Sequence, residues 1–132
     1  VDEVPIGAVL VDNKTNNIIS SAHNAVNYSK NAISHAEILI INDSSKIRQS
    51  KFLKDTSIFV TLEPCAMCAA AISEMHINRI YFGAYDEKKG SLESIQKIYN
   101  KKNYFVPEIY GGINENECSQ ILKNFFKKKR KK

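Results

Sequence analysis

Two short stretches thirty residues apart place the tightest demand on how this chain can fold. His35-Ala36-Glu37 and Pro64-Cys65-Ala66-Met67-Cys68 carry a histidine, a carboxylate and two thiols. If they act together, the fold must bring them to one point. Each half alone is ambiguous. A C-x-x-C pair serves as a redox couple, as half of a structural zinc site, or as two inert thiols. His35 alone reads as a histidine at a helix start, and Glu37 as the partner of Ser34 in an S-x-x-E capping box. Taken jointly, with proline directly before the first cysteine, they supply three N/S donors and a carboxylate in reserve.

That donor set suits zinc. A catalytic zinc site takes three protein ligands and leaves a fourth position for water, whereas a structural site is closed by four. Cys65 and Cys68 are three residues apart and so share one face of a helix. At a helix N-terminus their thiolates are favoured by the dipole and by free backbone N–H groups. His35 is the third ligand, and two thiolates balance the charge of the dication. Glu37, two residues from His35, is left to carry protons between water and a substrate nitrogen. The remaining candidates for a fourth ligand are His23, His76 and Cys118. Cys118 falls on an apolar helix stripe, His76 near a helix end, and His23 in a loop, so none is expected to bind the metal.

Bulk properties set the class. A chain of 132 residues reads as one domain, 1–132, able to bury roughly two thirds of its unfolded surface without disulfide staples. Three cysteines with one C-x-x-C point to a reducing, cytoplasmic compartment and a metal rather than a disulfide framework. The longest apolar run, 36–41, is six residues and contains Glu37, so no membrane partner is expected. No signal peptide is visible. The net charge of +5 is local: residues 127–132 are six consecutive Lys and Arg, and removing them leaves 13 basic against 14 acidic residues. The basicity is that of a tail, either a phosphate contact or a solvated end.

Periodicity outlines an α/β chain. Strands are expected at 4–11 and 18–22, joined by the 12–17 turn cluster. A helix opens at Ser34 with Leu39, Ile40 and Ile47 toward a core, flanked by Ile38 and Ile41, and fades near 42–45 or resumes weakly to 49. The apolar run 58–62 suits the centre of a parallel sheet. Pro64 starts the next helix. A strand at 79–83, a short amphipathic helix at 91–100, an edge strand at 105–110 and a helix from Asn114 with Cys118, Ile121, Leu122 and Phe125 inward complete a three-layer α/β/α pattern. Parallel strands with right-handed crossovers would align the two helix starts. Asn24 stays open between a turn role and pairing with the edge of a purine.

The matches extend beyond the metal motif. H-A-E and P-C-x-x-C are the elements shared by zinc nucleobase deaminases. In addition, E-V-P-I-G-A-V-L-V at 3–11, His23-Asn24, T-L-E-P-C-A-M-C-A at 61–69, R-I-Y-F-G-A-Y-D at 79–86, and Phe125-Phe126 before a basic end resemble the bacterial tRNA-specific adenosine deaminases over nearly the whole chain. The resemblance implies a cytidine deaminase-like fold with a mixed five-stranded sheet, a homodimer with active sites near its interface, and hydrolysis of adenosine to inosine at the wobble position of a tRNA anticodon stem-loop. By motif position it implies zinc on His35, Cys65 and Cys68, and proton transfer by Glu37. Asn24, Ala36 and Pro64 would border the flipped adenine, and Asp86 would lie near the anticodon loop. Phe126, Lys127, Lys128, Lys129 and Arg130 would meet the RNA backbone. A base stacked in a helix hides the carbon that carries its amine, so a flipped loop base is the natural substrate.

The chain departs from the family in three places. The family has a helix before the V-P-x-G strand, so here one sheet face is expected to lack a cover. Ala70 replaces a glycine. Tyr104-Phe105 stands where the family often has Asn-His. Two further function classes remain: a deaminase of free cytosine, cytidine or guanine, which needs no basic tail, and a non-catalytic zinc-stabilised RNA-binding module, in which Glu37 would be dispensable.

Overall fold

The first apolar run becomes β1 (Gly7–Asp12), which a turn returns as the antiparallel β2 (Ile18–His23). The strand starts later than residue 4 because the Ile6 N–H closes a tight turn on the Val4 carbonyl at 2.7 Å. The computed structural model describes residues 3–94, 97–101 and 103–130, the side chains of 126 and 128–130 excepted. After β2 come a single helical turn, α1 (Val26–Ser29), and α2 (Ala36–Arg48). Then follow β3 (Thr56–Leu62), α3 (Ala66–Glu74), β4 (Arg79–Ala84), a 3₁₀ turn at Ile98–Asn100, β5 (Glu108–Tyr110) and α4 (Glu115–Arg130).

The sheet is mixed, in the order β2-β1-β3-β4-β5. β3 is central as expected, but its neighbours are not both parallel: β1 runs antiparallel to it and β4 parallel. β2, reversed again against β1, therefore points the same way as β3 and β4. The elements that follow these three strands all leave from one end of the sheet.

Alternation along the strands assigns the two faces. Ala8, Leu10, Ile58, Val60, Ile80 and Phe82 lie in register on one face and join Ala36, Ile40, Ile41, Ala69 and Ile72 of α2 and α3 in the core. On the other face Phe59, Tyr81 and Tyr110 stack in a row across β3, β4 and β5, with ring centroids 4.5 and 4.9 Å apart. Phe59 is 39% and Tyr110 43% exposed, so this face is only partly covered. α4 lies over its β4 end, where Gly83 leaves room: a Cβ there would come 2.8 Å from Cβ of Cys118.

Several sequence expectations shift. α2 is continuous to Arg48, with Gln49 closing it in the left-handed region. Its inward residues are Ile40, Ile41 and Ser44, while Ile47 is 57% exposed. The edge strand shortens to Glu108–Tyr110, because Tyr104 and Phe105 turn their rings onto Tyr99 and His76. In α4, Leu122 is buried but Ile121 is 51% exposed. The helix expected at 91–100 is absent among the described residues. The N–H groups of Leu92, Glu93 and Ser94 donate to the carboxylate of Glu63 instead of to helical carbonyls; positions 95 and 96 lie outside the described residues. No helix among them is long and apolar enough to cross a membrane.

Ile80→Ala, at a fully buried core position, should lower unfolding free energy by about 2–5 kcal/mol. Ile47→Ala should change it by less than about 0.5 kcal/mol. Chemical denaturation midpoints read both.

Candidate active site

Both motif halves sit where a helix begins, later than the sequence reading placed it: the N-cap of α2 is His35 and not Ser34, and α3 starts at Ala66 and not at Pro64. His35 is the N-cap of α2 and Cys65 the N-cap of α3, each with extended backbone and a carbonyl that accepts the first helical N–H. An N-cap side chain ordinarily bonds the exposed amides of its own helix. The His35 ring does not do so, which leaves it free to point at the centre it shares with the two sulfurs. Cys68, three residues into α3, is fully buried on the same face.

The ligand atoms converge. Nδ1 of His35 lies 3.5 Å from Sγ of Cys68 and 3.8 Å from Sγ of Cys65. A tetrahedral zinc with ordinary bond lengths would set its nitrogen and sulfur ligands about 3.5 Å apart. Among the described residues these three form the group able to hold a metal ion. Cys65 is the readier thiolate. The Cys68 thiol and the N–H groups of Cys68 and Met67 stabilise its anion and bring it down to about 5, against the opposing effect of burial. The same contact, together with burial and the nearby Glu37, pushes Cys68 up.

Glu37 stands beside this group and is only 4% exposed. The capping box with Ser34 does not form: no side chain caps α2 from its own N-cap, and the Ser34 hydroxyl instead accepts from that of Ser29 at 2.8 Å. Burial first, then the negative charge of Cys65, raises the Glu37 pKa, while its own backbone N–H, His35 and Cys68 pull the other way. None of the three ion pairs among the described residues includes it. A buried carboxyl outside those ion pairs, next to a triad of metal donors, suits proton transfer rather than scaffolding.

Asn24 resolves into a positioning contact. Its Oδ1 accepts the Ala36 N–H at 2.9 Å, supplying from the β2 end the cap that His35 does not. That bond fixes the orientation of the amide, so its NH₂ is the end left for other partners. Ala36 is fully buried, and Pro64 is buried with its carbonyl accepting the Ser91 N–H at 3.0 Å. Asp86 follows β4 at the same sheet end. Its Oδ1 caps the next turn, accepting the N–H groups of Lys88 and Lys89. Lys127 is exposed on α4; the side chains of Phe126, Lys128, Lys129 and Arg130, and residues 131–132, lie outside the described residues.

The other candidate ligands are elsewhere. His76 is at the far end of α3, between the rings of Phe52 and Phe105 at 4.5 and 4.8 Å. Cys118 packs over Gly83 and His23 ends β2 exposed. Sequence reasoning passed over Glu63. Its carboxylate is 2% exposed and accepts five hydrogen bonds from residues 86–94. Burial alone would raise its pKa, but the donors of Ser94, Glu93 and Asp86 hold it below the usual carboxylate range. Four of those donors are backbone groups, which leave no trace in a side-chain pattern.

With this geometry in hand, comparison with known proteins is decisive. The model of the cytidine and deoxycytidylate deaminase zinc-binding region matches residues 1–84. The tRNA-specific adenosine deaminase of Rickettsia bellii is 48% identical over 128 residues, 96% of this chain and 88% of the relative. The chain belongs to this deaminase family. The Bacillus subtilis tRNA-specific adenosine deaminase is 38% identical over 98% of this deaminase and 80% of its own length. A structure solved in a study of A-to-I editing by tRNA deaminases at the wobble position superposes with a TM-score of 0.85 at 37% identity, covering 89% of this chain and 84% of that one. The guanine deaminase from Nitrosomonas europaea shares the fold, with a TM-score of 0.76 at 15% identity over 91% of this chain and 71% of that one. The deaminase fold and its zinc dependence agree with the sequence expectation.

Cys65→Ser and Cys68→Ser should lose bound zinc, whereas Glu37→Gln should retain it. Metal analysis of the purified variants reads this directly, and zinc loss from the Glu37 variant would reassign that residue as a ligand.

Proposed function

We propose that this deaminase converts adenosine to inosine by hydrolysis at the wobble position of a tRNA anticodon stem-loop. The observation that carries the reading is the buried Glu37 beside the His35, Cys65 and Cys68 donor group, in a chain 48% identical to a tRNA-specific adenosine deaminase. The elements share one sheet, which supports 1–132 as a single deaminase domain. The protein works in the cytoplasm, where its thiols stay reduced, and as a homodimer.

His35 Nδ1 and the sulfurs of Cys65 and Cys68 would hold a zinc ion, which would supply a Lewis acid able to make water nucleophilic near neutral pH. Glu37 takes the proton of the attacking water. It passes that proton to the ring nitrogen and then carries the remaining water proton to the departing amine, and its raised pKa makes it the readier acceptor at each transfer. Asn24, held by the Ala36 amide, turns its NH₂ to an acceptor on the flipped adenine edge. Ala36 and Pro64 close the pocket behind the base. Asp86 shapes the loop that meets the anticodon, and Phe126, Lys127, Lys128, Lys129 and Arg130 follow the backbone phosphates.

The test incubates zinc-loaded protein with an anticodon stem-loop carrying wobble adenine, and separately with adenosine, cytidine and guanine. Inosine formed in the RNA alone is the expected result; ammonia released from a free base or nucleoside would overturn it. Glu37→Gln should lose about 10²–10⁴ in kcat. An unaffected kcat would remove Glu37 from the proton path, whereas RNA binding with no turnover in parent or variant would make the protein a binding module. Asn24→Asp keeps the acceptor for Ala36 and should unfold like the parent while reacting poorly; Asn24→Ala should also lose about 1 kcal/mol of stability. Removing 127–132 should flatten the salt dependence of RNA binding by roughly 0.7 in log–log slope for each phosphate that the tail neutralises.

A further inference from the structure

Glu63 lies outside the metal group and makes no part of the proton path, yet it is among the most deeply buried side chains. Its position between the end of β3 and Pro64 puts it two residues from Cys65. Oε2 accepts the N–H groups of Leu92, Glu93 and Ser94 at 3.1, 2.7 and 3.0 Å. Oε1 accepts the Asp86 N–H at 3.1 Å and the Ser94 hydroxyl. The loop adds two bonds of its own, Ser91 N–H to the Pro64 carbonyl and Gly90 N–H to the Asp86 carbonyl. Gly90 has no room for a side chain, since a Cβ would come 2.5 Å from Cδ of Glu63 and from the Asp86 oxygen. A single carboxylate thus closes both ends of the 86–94 segment onto the strand end that delivers Cys65.

A buried carboxylate is an expensive fastener for a loop that already buries Leu92. What it achieves, and apolar packing does not, is a fixed register between this loop and the ligand-bearing segment. The loop projects exposed Lys88 and Lys89 from the sheet end where Asn24, Glu37 and Cys65 meet. We propose that Glu63 is a positioning residue for RNA binding: it clamps the 86–94 loop as a wall of the site and holds Lys88 and Lys89 for phosphates flanking the flipped base. This rests on the tRNA reading above. Glutamine cannot replace it, because one of its two ends would present N–H groups to N–H donors.

The experiment compares zinc-loaded parent, Glu63→Gln, Gly90→Ala and the Lys88→Ala/Lys89→Ala double variant on a wobble-adenine stem-loop. It reads zinc content, kcat, KM, RNA affinity by anisotropy, and amide hydrogen exchange at 92–94. Glu63→Gln should keep its zinc, hold kcat within about threefold, raise KM at least about tenfold and speed exchange at 92–94. Gly90→Ala, which leaves the carboxylate in place but forces the loop off it, should reproduce the pattern. Combining Glu63→Gln with the lysine pair should cost less than the sum of the separate effects. The proposal falls if exchange at 92–94 quickens while KM and RNA affinity stay at parental values, or if the loss is in kcat and zinc content instead. If the parent itself forms no inosine in RNA, the functional reading fails separately, and the affinity and exchange data still decide the role of Glu63.

Discussion

Everything at the site depends on strand direction. Two helix N-termini must face one another for His35 and the two cysteines to share a metal, and helices well separated in sequence meet this way only if the strands feeding them run in the same direction. β2, β3 and β4 do so, because β1 lies between β2 and β3 in the sheet and runs antiparallel to both. α2, α3 and the 86–94 loop therefore all begin beyond carboxyl ends of strands, the end of an α/β sheet where ligand sites form. The antiparallel β1 is not an irregularity in a parallel sheet but the element that makes the convergence possible.

At that end, capping and metal binding are divided between residues. A histidine and a cysteine occupy the two N-cap positions, and the histidine leaves α2 uncapped from within. Asn24 supplies the missing acceptor for α2 from across the loop. One consequence is that the register of His35 is tied to β2, not only to its own helix, so the hairpin and the metal group are set as a unit. Another is that a residue read as either a turn former or a base contact turns out to be a fastener, its Oδ1 committed to the Ala36 amide.

What the sequence made visible follows from where its information lies. Side-chain donors at fixed spacing, the i to i+3 cysteines, the apolar strands and the order of elements could all be read, because each is carried by the residues concerned. The exact helix starts could not: Ser34 and Pro64 carry start signals, but the ligands take the cap positions one residue further on. The supposed helix at 91–100 has helix-like residues, yet a buried carboxylate thirty residues upstream captures its amides. Ile47 matched the stripe of α2 but is exposed and stands outside the buried core cluster. In each case the deciding partner is a backbone group or a distant element, which periodicity does not encode.

The row of Phe59, Tyr81 and Tyr110 has an optical consequence. The chain contains no tryptophan, so its near-ultraviolet absorption belongs to tyrosine, with weak phenylalanine bands. Two of its six tyrosines are held nearly parallel, 15° apart with ring centres at 4.9 Å, on strands β4 and β5. Chromophores at that spacing couple their transitions, which makes the circular dichroism of this face a native reporter on whether the last edge strand is seated, with no label introduced.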